Sequence, residues 1–384
     1  MNAMTESRHG ALFTPLTVGD LTLKNRIVMA PMTRQFSPGG VPTEDVAAYY
    51  RRRAEGGAGL IITEGTGIED PEALDGPSIP VLYGDAALAG WKRVVDGVHE
   101  AGGRIFPQLW HQGVLRDARK SPTHPHLPGR RPFGLWGPVG QHSLPQDYID
   151  SAIAPTRPMT EEEIADVIAA FGRAAKNAID VGFDGIAIHG GHGYLIDTFF
   201  WHETNRRTDR WGGSHRQRAE FGAEIVRAIR REIGLGKPIM FRFSQHKQQD
   251  YHARLGETPE ELGEILNALA DAGVDILDAS IRGFDTPAFE GSDLNLAGWA
   301  KKLTGKLSST VGGIGLNNRL EEMFAGGETK ALDNLDRVLE RFGNGEFDLI
   351  LVGRGMLGDP AWSERVRGNQ PLAPFDRNAL FKLV

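Results

Sequence analysis

Eight short apolar runs recur along the chain, at residues 27–32, 60–63, 105–109, 185–189, 239–243, 276–279, 308–311 and 349–352. Runs of this length with little polar alternation suit strands buried on both faces, as in a parallel sheet covered by helices. Between several of them the period changes. Residues 160–181, 216–233 and 259–272 carry apolar positions three and four apart, the mark of amphipathic helices. Thr160 followed by Glu163 spells a capping box, and Thr258-Pro259 with Glu261 reads the same way, with proline at the first helical position. Strand and helix alternate about eight times. That rhythm predicts an α/β fold closed as a single (β/α)8 TIM barrel, one domain spanning residues 1–384.

Two segments break the rhythm. Residues 111–158 are rich in proline, glycine and polar residues and hold no sustained helical period. This long loop follows the third strand, which places it over the catalytic face of a barrel as a probable active-site loop insertion that could act as a lid. Residues 325–345 read as an enlarged seventh helical region.

Composition narrows the function classes. The chain carries 43 basic and 50 acidic residues, a formal charge of −7, with no basic block. A mildly acidic surface argues against nucleic acid and anionic membranes as partners. There is no cysteine. Disulfides, thiolate catalysis, Cys-ligated zinc and Cys-bound iron–sulfur clusters are thereby excluded. No apolar run reaches membrane-spanning length, and residues 1–10 lack the apolar core of a signal peptide. The expectation is a cytoplasmic protein, monomer or homo-oligomer, acting on a small molecule. Met4 can serve as the natural start in place of Met1.

Side chains alternate between the two faces of a strand, so parity locates the candidate chemistry. Phe106, Gln108 and Trp110 share one face of the third run. Ile186 and Ile188 suit packing against helices, which turns Ala187 and His189 inward. The same logic turns Met240 and Arg242 inward. Gln108, His189 and Arg242 therefore meet at the carboxyl rim of the barrel, where barrel enzymes place catalytic residues. A structural ion pair is the plain alternative for any one of them. Just past the fourth run, His189-Gly190-Gly191-His192-Gly193-Tyr194 brings two imidazoles and a phenol together. Two imidazole donors can hold one carbonyl oxygen, and a phenol nearby can donate a proton. His189-x-x-His192 also has the form of a metal pair, but no third ligand follows at a suitable spacing, so zinc is the weaker reading. Gly312-Gly313 follows the seventh run and Gly353-Arg354 the eighth. Glycines in these two loops let backbone N–H groups approach a phosphate, and Arg354 can add a bidentate contact. Neither has the Gly-x-Gly-x-x-Gly spacing of a dinucleotide-binding crossover.

These residues resemble a known family. Leu12-Phe13-Thr14-Pro15-Leu16 and the stretch from Lys24 through Ala30-Pro31-Met32-Thr33-Arg34 look like the opening of old yellow enzyme proteins. Thr63-Glu64-Gly65, Gln108-Leu109-Trp110-His111, the His189–Tyr194 motif, Asn205-Arg206-Arg207-Thr208-Asp209-Arg210-Trp211-Gly212-Gly213-Ser214 and Gly353-Arg354 follow in family order, over nearly the whole chain. Trp211 stands where many members carry Tyr, a change expected to affect packing. Thr33 stands where some members carry Cys, so thiol modulation of a flavin is not available here.

The resemblance implies an FMN-dependent ene-reductase that holds FMN non-covalently and uses NADPH or NADH. Ala30, Pro31 and Met32 would lie along the flavin, with Thr33 near its O4 and N5 edge. Gly65 and Gln108 would contact the ring, and Arg242 would sit near N1 and O2, opposite the negative charge of the reduced form. Gly312, Gly313, Gly353 and Arg354 would hold the phosphate. The implied mechanism is ping-pong. His189 and His192 would bind the carbonyl oxygen of the alkene, hydride would reach the β-carbon from N5, and Tyr194 would protonate the α-carbon. Trp110 and the 111–158 loop would shape the substrate pocket. Larger relatives of the dienoyl-CoA reductase type need an iron–sulfur cluster, which zero cysteines argue against. A sugar-phosphate aldolase would show a lysine near a strand end, and none stands out. A flavin carrier without turnover would have no use for the His–His–Tyr set.

Overall fold

The computed structural model describes residues 8–384, so the choice between Met1 and Met4 lies outside the described residues. A short antiparallel hairpin, β1 (Leu16–Val18) and β2 (Leu21–Leu23), precedes eight barrel strands. These are β3 (Ile27–Met29), β4 (Leu60–Gly67), β5 (Ile105–Trp110), β6 (Ile186–His189), β7 (Ile239–Phe243), β8 (Ile276–Ala279), β9 (Leu307–Val311) and β10 (Leu349–Val352). They close in the order β10-β3-β4-β5-β6-β7-β8-β9, every neighbouring pair parallel. The expected (β/α)8 barrel is the observed fold.

Both strand faces are buried, which is why the runs read as continuously apolar. Inward residues such as Val28, Leu60, Ile62, Phe106, Ala187, Met240, Ile276 and Leu351 form the barrel core. Outward residues such as Ile105, Ile186, Ile188, Ile239 and Phe241 pack in the layer shared with the helices. The parity assigned to β5, β6 and β7 is therefore the parity found. Val18, Leu21 and Leu23 of the hairpin join the inner core, and Asp20 N donates to Gly236 O just before β7. The hairpin thus plugs the end where the strands begin and leaves the carboxyl rim as the open end.

Local signals hold at the helix ends. In the helix Glu161–Val181, the Thr160 hydroxyl accepts from Glu163 N, the Glu163 carboxylate accepts from Thr160 N, and Gly182 ends the helix at φ 106°. Pro259–Ala272 repeats the box from Thr258 and ends on Gly273 at φ 117°. Each such cap is worth about 1 kcal/mol. The stretch expected at 216–233 instead splits into His215–Arg218 and Glu220–Ile233. Trp211 is fully buried and its Nε1 donates to Glu161 Oε2 at 2.5 Å, so it packs onto the start of the longest helix.

The 111–158 segment is built without a repeating pattern. It holds turns at Gly113–Leu115 and Ala118–Lys120 and a short helix, Gln146–Ala152, that the sequence reading did not foresee. Val114, Leu115, Trp136, Tyr148 and Ile149 form its own small core. Buried guanidinium groups supply the hydrogen bonds that regular structure would supply elsewhere. Arg116 donates to the carbonyls of Leu74, His124 and Leu127, and Arg131 to those of Gly134, Ala152 and Ala154. The 325–345 region holds one helix, Leu335–Gly343, after a short one at Leu320–Phe324. No helix among the described residues is long and apolar enough to cross a membrane.

Candidate active site

The carboxyl rim gathers polar side chains from adjacent strands. Register pairs His189 with Arg242, Arg242 with Asp278, and Asp278 with Ser309, so four polar residues stand side by side on the barrel wall. Arg242 Nε donates to Asp278 Oδ2 at 2.5 Å, and Ser309 Oγ donates to Asp278 Oδ1 at 2.9 Å. Four buried nitrogens at this rim have no partner among the described residues: Gln108 Nε2, Trp110 Nε1, His189 Nδ1 and Arg242 Nη2. Leaving such a group unmet costs ~1–3 kcal/mol, more when charged. Several in one place mark the docking position of a polar ligand.

A cleft lies against this wall. Ala30, Pro31, Met32, Arg242, Gly312, Gly313, Gly353 and Arg354 all line it. Gly312 has φ 112°, and a Cβ there would fall 2.5 Å from the carbonyl oxygen of Ile281. Gly313 has φ 70° and open space where a Cβ would be. A Cβ on Gly353 would meet nothing nearer than Met32 Sδ at 3.6 Å. The cradle is therefore open where a bulky anion could reach the backbone. Arg354 is also held from the side. Its Nη1 donates to Asn318 Oδ1 at 2.9 Å and its Nη2 to Asn318 O at 2.6 Å, so the guanidinium braces the neighbouring loop. The orphaned donors and the glycine cradle fit the FMN expected from the sequence.

The His–His–Tyr motif turns sharply after β6. His192 sits at φ 64° and Gly193 at φ 81°. Left-handed backbone is unfavourable for a non-glycine residue, so contacts must hold it. His192 N donates to Ser244 Oγ at 2.8 Å, His192 O accepts from Gln248 N at 3.0 Å, and Gly193 N donates to Asp197 Oδ2 at 2.6 Å. Asp197 is in turn paired with Lys247 at 2.7 Å, both side chains fully buried. The result is a tight group: the His189 ring lies 5.0 Å from His192 and 4.8 Å from Tyr194, centroid to centroid, and Trp110 lies 5.0 Å from Tyr194. His192 Nε2 pairs with Ser280 Oγ at 2.8 Å, and a third imidazole, His246, stacks on His192 at 5.1 Å.

Burial sets the protonation of this group. It pushes His189 down to about 3, with Arg242 adding to the effect. Burial, followed by the neighbouring imidazoles and Arg242, holds His192 well below the usual imidazole range, and burial with Arg282 does the same to His246. Burial also raises the Tyr194 phenol above its usual value, helped by Asp75 and Tyr148. All four are neutral near pH 7. A consequence follows for stability. Below an ordinary imidazole value near 6.5 the unfolded chain takes up protons that the folded chain refuses, so stability falls as pH drops from there toward 3. Each buried imidazole contributes up to ~1.4 kcal/mol per pH unit in that window. His246→Gln should remove about one proton from the uptake measured on denaturant unfolding between pH 6 and 4. A pH slope identical to the parent's would show that His246 does not stay neutral in the fold.

Beside the cleft, Thr33, Trp110 and Tyr194 line a second cavity with Gln112, and Leu115 and Leu144 enter it from the 111–158 segment. Gly65 is required by Trp110, since a Cβ there would fall 2.5 Å from the indole. A register shift between Ile62 and Gly65 turns Glu64 away from the barrel. Its Oε2 accepts from Arg34 N and Gln35 N at 2.8 and 2.9 Å, fixing the chain just after Thr33, and burial lifts this carboxyl to about 7.

The structure thus brings together Ala30, Pro31, Met32, His192, Arg242, Gly312, Gly313, Gly353 and Arg354 around one cleft, with Thr33, Trp110 and Tyr194 next to it. Gln108 and His189 stand in the wall between the strands that carry them. Asp278, Ser280, His246 and the Asp197–Lys247 pair were missed by the sequence reading. Asp278 carried a signal, since it shares the parity of Ile276 in an apolar run. Lys247 carried none.

Comparison with known proteins agrees across the whole chain. The model of the NADH:flavin oxidoreductase / NADH oxidase family matches residues 11–373. The 12-oxophytodienoate reductase 2 of Arabidopsis thaliana is 32% identical over 375 residues, covering 96% of this chain and 92% of that protein. The NADH oxidase of Thermoanaerobacter brockii is 33% identical over 93% of this chain and 50% of its own length. Among solved structures, morphinone reductase in complex with tetrahydroNAD superposes with a TM-score of 0.78 at 27% identity, over 96% of this chain and 94% of that one. The old yellow enzyme homologue from Zymomonas mobilis gives 0.78 at 27% identity, over 97% and 96%.

Proposed function

Because the chain belongs to the NADH:flavin oxidoreductase / NADH oxidase family, the old yellow enzymes, and is an FMN oxidoreductase served by NAD(P)H, we propose that it reduces carbon–carbon double bonds activated by a carbonyl or nitro group. The observation that carries this reading is the neutral His189–His192–Tyr194 group at the open end of the barrel, 4.8–5.0 Å between rings.

In this reading Ala30, Pro31, Met32, Thr33, Gly65, Gln108 and Arg242 hold the flavin ring, and the backbone at Gly312, Gly313, Gly353 and Arg354 holds its phosphate. FMN held there would supply the hydride when reduced. The protein supplies everything that makes the alkene accept it. His189 and His192 donate to the carbonyl or nitro oxygen. His192 Nε2 shares a hydrogen bond with Ser280 Oγ at 2.8 Å; in the tautomer that donates to the substrate from Nδ1, the Ser280 hydroxyl is the donor to Nε2. Neutral imidazoles bind the oxygen without an uncompensated charge, and their pull grows as negative charge develops on it. Tyr194, neutral and unionised, gives its Oη proton to the α-carbon and is reprotonated from solvent. Trp110 packs edge-on to Tyr194 and fixes the direction of that hydroxyl. One mouth serves nicotinamide and alkene in turn, so the half-reactions alternate.

The test is anaerobic kinetics on protein that is yellow as purified and releases FMN on denaturation. A panel of 2-cyclohexenone, an enal, a maleimide and a nitroalkene is offered with NADH and with NADPH. Nicotinamide oxidation driven by at least one alkene, with parallel double-reciprocal lines, is expected. Intersecting lines would replace alternation with a ternary complex. Failure of every alkene, with nicotinamide oxidation only by dioxygen, would remove the alkene from the proposal.

A further inference from the structure

The guanidinium that faces the cleft does not stand alone. Arg242 on β7 and Asp278 on β8 are register partners joined at 2.5 Å, with side chains 7% and 3% exposed. Ser309 on β9 donates to the other carboxylate oxygen at 2.9 Å. Arg242 lines the cleft; Asp278 stands behind it. The guanidinium is therefore gripped from behind through Nε, while Nη2 is buried with no partner among the described residues. That arrangement has an electrostatic consequence. A lone buried cation acts on a nearby charge with its full field, whereas a cation with a carboxylate at hydrogen-bond distance acts closer to a dipole, and its pull on a third charge is weaker.

We infer that Asp278 is a positioning residue that, through Arg242, orients the guanidinium toward the cofactor and holds the reduction potential of bound FMN below the value that Arg242 alone would set. This rests on the reading that Arg242 faces the flavin. Two-electron reduction adds negative charge to the cofactor, so the net positive field at its ring decides how strongly reduced FMN is preferred over oxidised FMN. Asp278 subtracts from that field. Ser309 shares the carboxylate's charge and so tempers the subtraction.

The experiment is the midpoint potential of bound FMN, measured anaerobically against reference dyes, with FMN affinity measured by flavin fluorescence. Asp278→Asn keeps an oxygen to accept from Arg242 Nε and removes the charge. Its preference for reduced over oxidised FMN is expected to rise about tenfold, which moves the midpoint up by about 30 mV for a two-electron couple. Arg242→Met is expected to move it down and to weaken FMN binding. If Arg242→Met behaves so while Asp278→Asn leaves the potential unchanged or lowers it, Asp278 has no tuning role and the reading of Arg242 stands. If Arg242→Met changes neither potential nor affinity, the reading of Arg242 fails and the inference falls with it. Should Asp278→Asn fail to hold FMN, Ser309→Ala makes the same comparison. It leaves the carboxylate charged but unshared, so the midpoint is expected to move down, and an unchanged value overturns the proposal.

Discussion

Tyr194→Phe is expected to slow alkene reduction by ~10²–10⁴-fold, the usual contribution of a positioned general acid, while the preceding reduction of the enzyme by nicotinamide keeps its rate. The contrast follows from what the two steps need. Hydride donation by nicotinamide requires no proton at this position. Saturation of the alkene ends with a carbanion-like carbon that must be protonated, and Tyr194 is the raised, neutral phenol beside the two imidazoles. The substitution is mild for the fold. Phenylalanine keeps the ring that packs on Trp110 and His189, and the hydroxyl takes no hydrogen bond from any described residue. Nitroalkenes should lose less, because a nitronate is stable enough to leave and take its proton from water. Stopped-flow measurement of the two half-reactions decides the matter. Equal slowing of both would make Tyr194 a packing residue. An alkene step at full speed would pass the proton to water or to a group on the 111–158 segment.

Lys247→Met is expected to cost ~3–5 kcal/mol of folding stability, the penalty for stripping a buried ion of its partner. Lys247 and Asp197 are both wholly buried, and burial by itself lifts the Asp197 carboxyl while Lys247 pulls it back. Without the lysine, Asp197 is left to protonate in the fold. A carboxyl raised above its unfolded value is stabilising below that value and loses this as pH rises, so the deficit of the variant should shrink on acidification toward pH 4. The damage should also reach the site, because the same carboxylate accepts from Gly193 N in the turn between His192 and Tyr194. Denaturant unfolding at several pH values checks both. The double variant Asp197→Leu with Lys247→Met should recover part of the stability, less the cost of leaving Gly193 N without its acceptor. A loss below ~1 kcal/mol for the single variant would mean that water reaches the pair.

Much of the architecture was legible because burial on both strand faces writes itself as short apolar runs. The inward turn of Gln108, His189 and Arg242 followed from the same parity. The parts that were missed lack periodicity. Beyond Thr63 the register shift in β4 breaks alternation, so a buried Glu64 could not be assigned a side. Ala219 favours helix, and the sequence offered no break there. Asp278 was available to the parity argument but was passed over inside an apolar run. Lys247 reads as an ordinary loop lysine, and only the folded chain shows that it underpins the His192–Tyr194 turn. Arg354 was assigned to the phosphate end from its type and lines the cleft, where its terminal nitrogens also bind Asn318.

The 111–158 segment keeps its shape through Arg116 and Arg131, whose guanidinium groups bind main-chain carbonyls and ignore side-chain identity. Two inherited residues can therefore preserve the wall of the second cavity while a residue that faces it from outside the segment's core, Leu144, drifts. Selection can then explore new substrates by changing that position in small steps, each leaving the barrel intact. Descendants of such a chain would diverge in diet sooner than in mechanism.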